Sequence, residues 1–444
     1  MQSETTFLGA ATLVAAMTLM SVSATAQALP CSWPAETTGS GITNFAYPDT
    51  NATYWIMPFD STRWKLIVIS GTYPESRYFS FIPYLAHGAV VNNEALNDVD
   101  INPSQGSTNP FREHADDGST HYYTVTASRY PPADNESNFL QLGNTRLAWI
   151  LYRIYVPNKG LERNAGVPLP SITVIDHDGR SYLLPQCHAN SANDTITELT
   201  KTLASQGLDV EAGLREILRP VQAPVSAKAS CQPTPLLSLI PKNTGGYFPN
   251  PANKYIAVPG LCFQPDRVVV VRGKGAIFPD TFNGNPIWEP PGVMMRYWSM
   301  CNNNERPPYP VVGCSADYKT NLDAEGYYTY VVSQPEQNDA AHPPSWIPPD
   351  ATWLPWGSRI TPNVLILRNM LPDSTFTHSV QAALDKGCVI NNGSSPSREE
   401  EVRAAACAHK VMQGYYPRAV YCGKQVLINE GWHGCFAAAE SDIQ

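Results

Sequence analysis

The chain has 444 residues, enough for two or three domains with separate cores. Charged residues make up only 16%, while Pro (40), Tyr (22) and Trp (10) are frequent, a composition that suits strands and rigid loops better than helical bundles. A net charge of −9 argues against a nucleic-acid partner or an anionic membrane surface, since both need a basic face.

Residues Phe7 to Val22 form an apolar run that is followed by small residues and the small-x-small triplet Ala26-Gln27-Ala28, the pattern of a signal peptide at 1–28. The run is too short for a spanning helix, so no membrane span is expected and the address is secreted or periplasmic. All ten cysteines follow it: Cys31, Cys187, Cys231, Cys262, Cys301, Cys314, Cys388, Cys407, Cys422 and Cys435. An even count in an exported chain, without CxxC or Cys/His clusters, predicts disulfides and no metal. The connectivity stays open, although Cys301 and Cys314 could staple neighbouring strands and the four C-terminal cysteines are expected to pair among themselves.

A first β-domain is expected at 29–190 and a second at 244–385, because four blocks recur in one order. Arg63–Gly71 and Arg77-Tyr78-Phe79-Ser80 are followed by His121–Val125 and Ile150–Pro157. Arg267–Gly275, Arg296-Tyr297-Trp298-Ser299, Gly326–Tyr330 and Leu365–Pro372 repeat the series. The blocks are short, rich in β-branched and aromatic residues, and bounded by Gly or Pro, as strands are. Tyr122, Thr124 and Thr126 alternate with Tyr123, Val125 and Ala127, a period of two. The fold class read from this is mainly β: two tandem antiparallel jelly-roll or sandwich domains. A helical and Pro-rich linker is expected at 191–243. A small disulfide-stapled helical cap is expected at 386–444, where Ser397-Arg398-Glu399-Glu400 reads as a capping box.

Arg296-Tyr297-Trp298-Ser299, Tyr327–Val332, Thr352-Trp353-Leu354-Pro355, Leu367-Arg368 and Leu371-Pro372 together resemble the signature of a bacterial domain of unknown function, number twelve-fourteen. That domain is often coupled to a partner domain, twelve-fifty-four, in exported or envelope proteins. The resemblance covers the second copy well and the first more loosely, since the first lacks the Trp-Leu-Pro element. It implies a jelly-roll-like β-domain and carries no settled activity.

Candidate site residues come from two sources. Arg77/Arg296 and Arg153/Arg368 recur, and a guanidinium on a strand can grip a carboxylate with two nitrogens, although duplicated scaffolding is the favoured explanation of the recurrence. The loop 343–356 holds Trp346, Trp353 and Trp356 among five Pro, and braced aromatics make stacking platforms for sugar rings or other flat ligands. Trp346, Trp356, Arg296 and Arg368 are therefore the expected ligand-binding residues, with Trp353 assigned to the core. Asp98, Asp100 and Asn102 copy the start of a calcium loop, but Pro103 stands where Gly is needed, so a solvated strand and turn is the reading there.

No Gly-x-Ser-x-Gly elbow, His-Glu-x-x-His or phosphate-binding loop occurs, so catalytic residues stay unassigned and no cofactor is expected. Two classes of function follow. One is a secreted protein binding an extracellular glycan or small ligand. The other is a hydrolase of extracellular glycan or polymer, using carboxylates that converge between the two domains. Oligomeric state is not legible.

Overall fold

The structure is a computed structural model and describes residues 29–40, 44–86, 88–92, 94–113, 119–132, 137–187, 198, 200–202, 204, 231, 236–242, 248–287, 292–336, 339, 341–390 and 397–441. The signal-peptide expectation and most of the helical linker lie outside these residues.

The first half of the chain carries β1 (Ala35–Thr37), β2 (Ala52–Asp60), β3 (Trp64–Thr72), β4 (Ser76–Leu85), β5 (Leu96–Asn97), β6 (Tyr122–Ser128), β7 (Phe139–Gln141), β8 (Leu147–Pro157), β9 (Ser171–Asp176) and β10 (Ser181–Leu183). The second half carries β11 (Leu236–Leu237), β12 (Ile240–Lys242), β13 (Asn253–Leu261), β14 (Arg267–Lys274), β15 (Met295–Asn304), β16 (Val311–Ala316), β17 (Tyr327–Ser333), β18 (Thr352–Pro355), β19 (Asn363–Pro372) and β20 (Arg418–Gly423). Three helices follow the second set of strands or flank its last member: α1 (Val380–Asp385), α2 (Arg398–Met412) and α3 (Lys424–Ser441), the last kinked at Gly431.

Among the described residues these strands make four five-stranded sheets. Each half has an inner sheet, ordered β1-β2-β8-β4-β5 and β12-β13-β19-β15-β16, and an outer sheet, ordered β10-β9-β3-β6-β7 and β11-β20-β14-β17-β18. The pairing order of the inner sheets is the same, and so is the register. Arg153 lies opposite Tyr54, as Arg368 lies opposite Tyr255.

Each outer sheet packs on its inner sheet. Ile67, Val125 and Val174 meet Met57, Phe81 and Tyr152 in the first half, and Val269, Tyr330 and Tyr421 meet Ile256, Met300 and Leu367 in the second. The other faces of the two inner sheets meet each other, where Tyr54, Tyr78 and Tyr155 pack with Tyr297 and Met370. The stack is thus outer, inner, inner, outer, with α3 covering Val268, Val270 and Val420 at one end. Burial on both faces explains why β8 is an almost unbroken apolar run, buried from Leu147 to Val156, whereas β6 alternates. In β6, Tyr122 is exposed and Tyr123 is buried.

The cysteines form five pairs: Cys31–Cys187, Cys231–Cys262, Cys301–Cys314, Cys388–Cys407 and Cys422–Cys435. Cys301 and Cys314 sit directly opposite on β15 and β16, and the last four pair among themselves. The capping box at Ser397 and Glu400 is present. Among the described residues no helix is long and apolar enough to cross a membrane.

Three expectations are corrected. The sheets are not wholly antiparallel, because β7 joins β6, and β18 joins β17, in parallel. In both cases a long connection carries the chain back before a short edge strand is added. The expected linker 191–243 yields two edge strands, β11 and β12, before it ends. The expected helical cap contains β20, a β-prone run (Ala419-Val420-Tyr421-Cys422) that lies between β11 and β14 inside the outer sheet.

Candidate functional site

Alternation along β8 sends Tyr152 and Ile154 into the first-half core and turns Leu151, Arg153 and Tyr155 toward the second half. On β19 the same rule sends Leu365 and Leu367 inward and turns Ile366, Arg368 and Met370 toward the first half. The recurring arginines therefore stand at the junction of the halves, and each reaches across it. Arg77 Nη1 donates to Asp317 Oδ2 at 2.9 Å, and Arg296 Nη1 donates to Asp98 Oδ1 at 3.0 Å.

The two acids occupy matching places, each opening a single 3-10 turn, Asp98–Asp100 and Asp317–Lys319. Each also accepts a backbone N–H from the strand beside it: Phe79 N to Asp98 at 3.0 Å and Trp298 N to Asp317 at 3.2 Å. Burial raises both carboxyls and the facing arginines oppose that rise; Asp317 is pushed up to about 6. The stretch 97–102 is a strand end and 3-10 turn with Asp100 and Asn102 exposed, as expected of a solvated turn, but Asp98 departs from that reading. Asp98 has no solvent exposure, and its oxygens are taken by Arg296 and by the N–H groups of Phe79 and Val99.

Arg153 and Arg368 are used differently. Arg368 Nη2 donates to Tyr47 O at 2.6 Å, and Arg153 Nη2 donates to Phe248 O at 2.7 Å, so each holds a carbonyl of the opposite half. Tyr47 and Phe248 both have left-handed backbones, with φ of 53° and 51°, an unfavoured conformation for aromatic residues. That twist is what turns their carbonyls to the arginines.

Between these arginines lies a cavity of about 520 Å³ lined by both halves. Its walls are mainly apolar, including Phe45, Ile56, Leu151, Ala257, Val364 and Ile366. Its polar groups include Arg153, Arg368, Lys242, Glu305, Asn250 and several tyrosines. Glu305 accepts the Gly260 N–H at 2.7 Å; burial raises its carboxyl, while that hydrogen bond and Lys242 lower it. Burial lowers the Lys242 ammonium, with Glu401 and Glu305 pulling the other way. A volume of this size suits a small organic ligand.

Of the expected ligand-binding residues, only Arg368 lines this cavity. Arg296 is committed to Asp98. Trp356 is only 5% exposed, packs in the core of the second half and donates through Nε1 to Ser358 O, so it is a core residue and not a stacking platform. Trp346 is half-buried in a different cluster, with Lys424 Nζ 4.4 Å from its ring centroid. The two tryptophans are not brought together. Residues overlooked in the sequence are Tyr47, Phe248, Lys242 and Glu305. A usable signal existed: the aromatic-Pro-Asx triplets Tyr47-Pro48-Asp49 and Phe248-Pro249-Asn250 stand just before the matching strands β2 and β13.

No family model matches this chain, and no curated protein matches it significantly. Among solved structures it is similar to an uncharacterised protein of Burkholderia cenocepacia, at 15% identity over 78% of this chain and 79% of that one, with a TM-score of 0.42. A protein of Vibrio parahaemolyticus is similar at 11% identity over 84% and 89%, with a TM-score of 0.37. Likeness at these scores carries no argument about activity.

Proposed function

We propose that this is an exported, disulfide-stabilised binding protein, built of two related β-sandwich domains, that encloses a small ligand between them. The observation that carries this reading is the cavity on the junction of the inner sheets, lined by the same strand positions from each half. Export is supported by five disulfides with no free thiol. Kinship with domain twelve-fourteen belongs to the same proposal and rests on the sequence motifs alone.

A glycan platform on Trp346 and Trp356 has lost its geometry. The hydrolase reading asked for two carboxylates converging between the halves, and the cavity lining contains one, Glu305.

The test is a cavity-filling substitution. Ala257 lies on β13 with its side chain among Val364 and Ile366 on the cavity face. In Ala257→Phe, binding of an environment-sensitive apolar dye should be lost while the circular dichroism spectrum is retained. Dye binding equal to that of the natural protein would remove the cavity from consideration.

A further inference from the structure

We infer that the ligand is a singly charged carboxylate with an apolar body, its carboxylate held at Arg153; the inference rests on the cavity being the binding site. The argument starts from a place where the two halves stop matching. Arg368 has a counter-charge, since its Nη1 lies 3.9 Å from Asp49, a fully buried carboxylate that also accepts from Tyr297 Oη at 2.8 Å and Ser299 Oγ at 2.6 Å. The residue matching Asp49 in the second half is Asn250. Both open the same local turn, with Ala52 N bonding Asp49 O and Asn253 N bonding Asn250 O. An amide has replaced the carboxylate on the Arg153 side.

The consequences are visible around Arg153. It is 2% exposed, and its acceptors are neutral: Tyr84 Oη at 2.5 Å and Phe248 O at 2.7 Å. The rings of Tyr54 and Tyr84 lie 5.4 and 5.5 Å from its guanidinium carbon. Its Nε has no hydrogen-bond partner. Among the described residues no carboxylate lies within ion-pair distance of Arg153. A buried guanidinium without an anion is costly, and it borders a cavity large enough to admit one.

Arg368 faces Asp49, whereas Arg153 faces neutral acceptors only, so a single negative charge on the ligand balances it. A planar carboxylate fits a guanidinium with two hydrogen bonds. The remaining wall, with Ile56, Leu151 and Ile366, asks for a hydrocarbon or aromatic body.

Calorimetric titration of the full disulfide-bonded protein with phenylpropionate and octanoate, their neutral amides, and inorganic phosphate tests this. The acids should bind at least about ten-fold tighter than the amides, and Arg153→Met should weaken the acids about ten- to hundred-fold. Because Arg153→Met also removes the bond to Phe248 and could unfold the junction, Asn250→Asp is the second arm. It keeps the arginine and supplies an internal carboxylate, so acid binding should fall while dye binding and the thermal midpoint persist. Amides binding as well as acids, phosphate binding more tightly than either acid, or undiminished acid binding in Asn250→Asp would overturn the carboxylate assignment and leave the cavity standing. Failure of acids, amides and dye alike would remove the cavity reading itself.

Discussion

The Asp317 side chain has no solvent exposure, and its carboxylate touches Arg77 of the other half as well as the N–H groups of Trp298 and Tyr318. Burial outweighs these partners, so its folded pKa of about 6 stands above the ordinary value of 3.8. Between those pH values the folded protein keeps a proton that the unfolded chain has released. This contribution to stability is therefore complete below pH 4 and is lost as pH rises through 6. Urea midpoints measured from pH 4 to 6 should fall for the natural protein relative to Asp317→Asn, and parallel curves would exclude the effect. At this scale the sequence was half legible. The recurring arginines were conspicuous, but their acids were not, because Asp98 in the polar run Asn97–Asn102 has the look of a residue in a solvated turn. Gly71 similarly reads as a residue closing a strand, and its structural counterpart is Gly273. They lie within β3 and β14, where a Cβ would sit 2.6 and 2.4 Å from the hydroxyls of Tyr123 and Tyr328, so glycine there makes room for the ring across the strand.

The strand pair β4 and β15 holds the junction through a reciprocal exchange. Each strand contributes an arginine to the other half and receives, on its neighbouring 3-10 turn, an acid that the other half's arginine fills. Removing one partner strands a buried charge, whereas removing both removes the debt. Arg296→Met should cost about 3–5 kcal/mol, because Asp98 is left buried and unpaired. In the double variant with Asp98→Asn, the two costs should fall short of additivity by at least about 1 kcal/mol, measured by urea unfolding. Additive costs would mean that the pair is not coupled. Elements with a strong local signature were legible, as the capping box before α2 was. Those defined by a distant neighbour were not. β20 follows a helix in sequence but pairs with β14, some 150 residues upstream by count from Arg267 to Arg418, and nothing local announces that pairing.

In the whole molecule, no disulfide joins the halves. Cys31–Cys187 closes the first, and the other four pairs lie within the second. The matching strand order of the two inner sheets has a trace in the sequence, where similar blocks recur in order, but the face-to-face docking of those sheets has none. A strand buried on both faces has the same apolar sequence whether its second cover is a helix, a sheet or a partner chain. Covalently the halves are linked through the chain between Cys187 and Cys231, and their non-covalent attachment includes the arginine exchange, the carbonyl contacts of Arg153 and Arg368, the tyrosine cluster and backbone hydrogen bonds such as Tyr47 N to Tyr309 O. This attachment is interlocked, since each half inserts groups into the other. A protease site placed within 205–230 and then cut should therefore yield two fragments that elute together in size-exclusion chromatography under native conditions and separate in urea. The same cut in Arg77→Met/Arg296→Met should release the fragments without denaturant. Fragments that part at once in the natural sequence would show that the linker, and not the junction, holds the two halves in place.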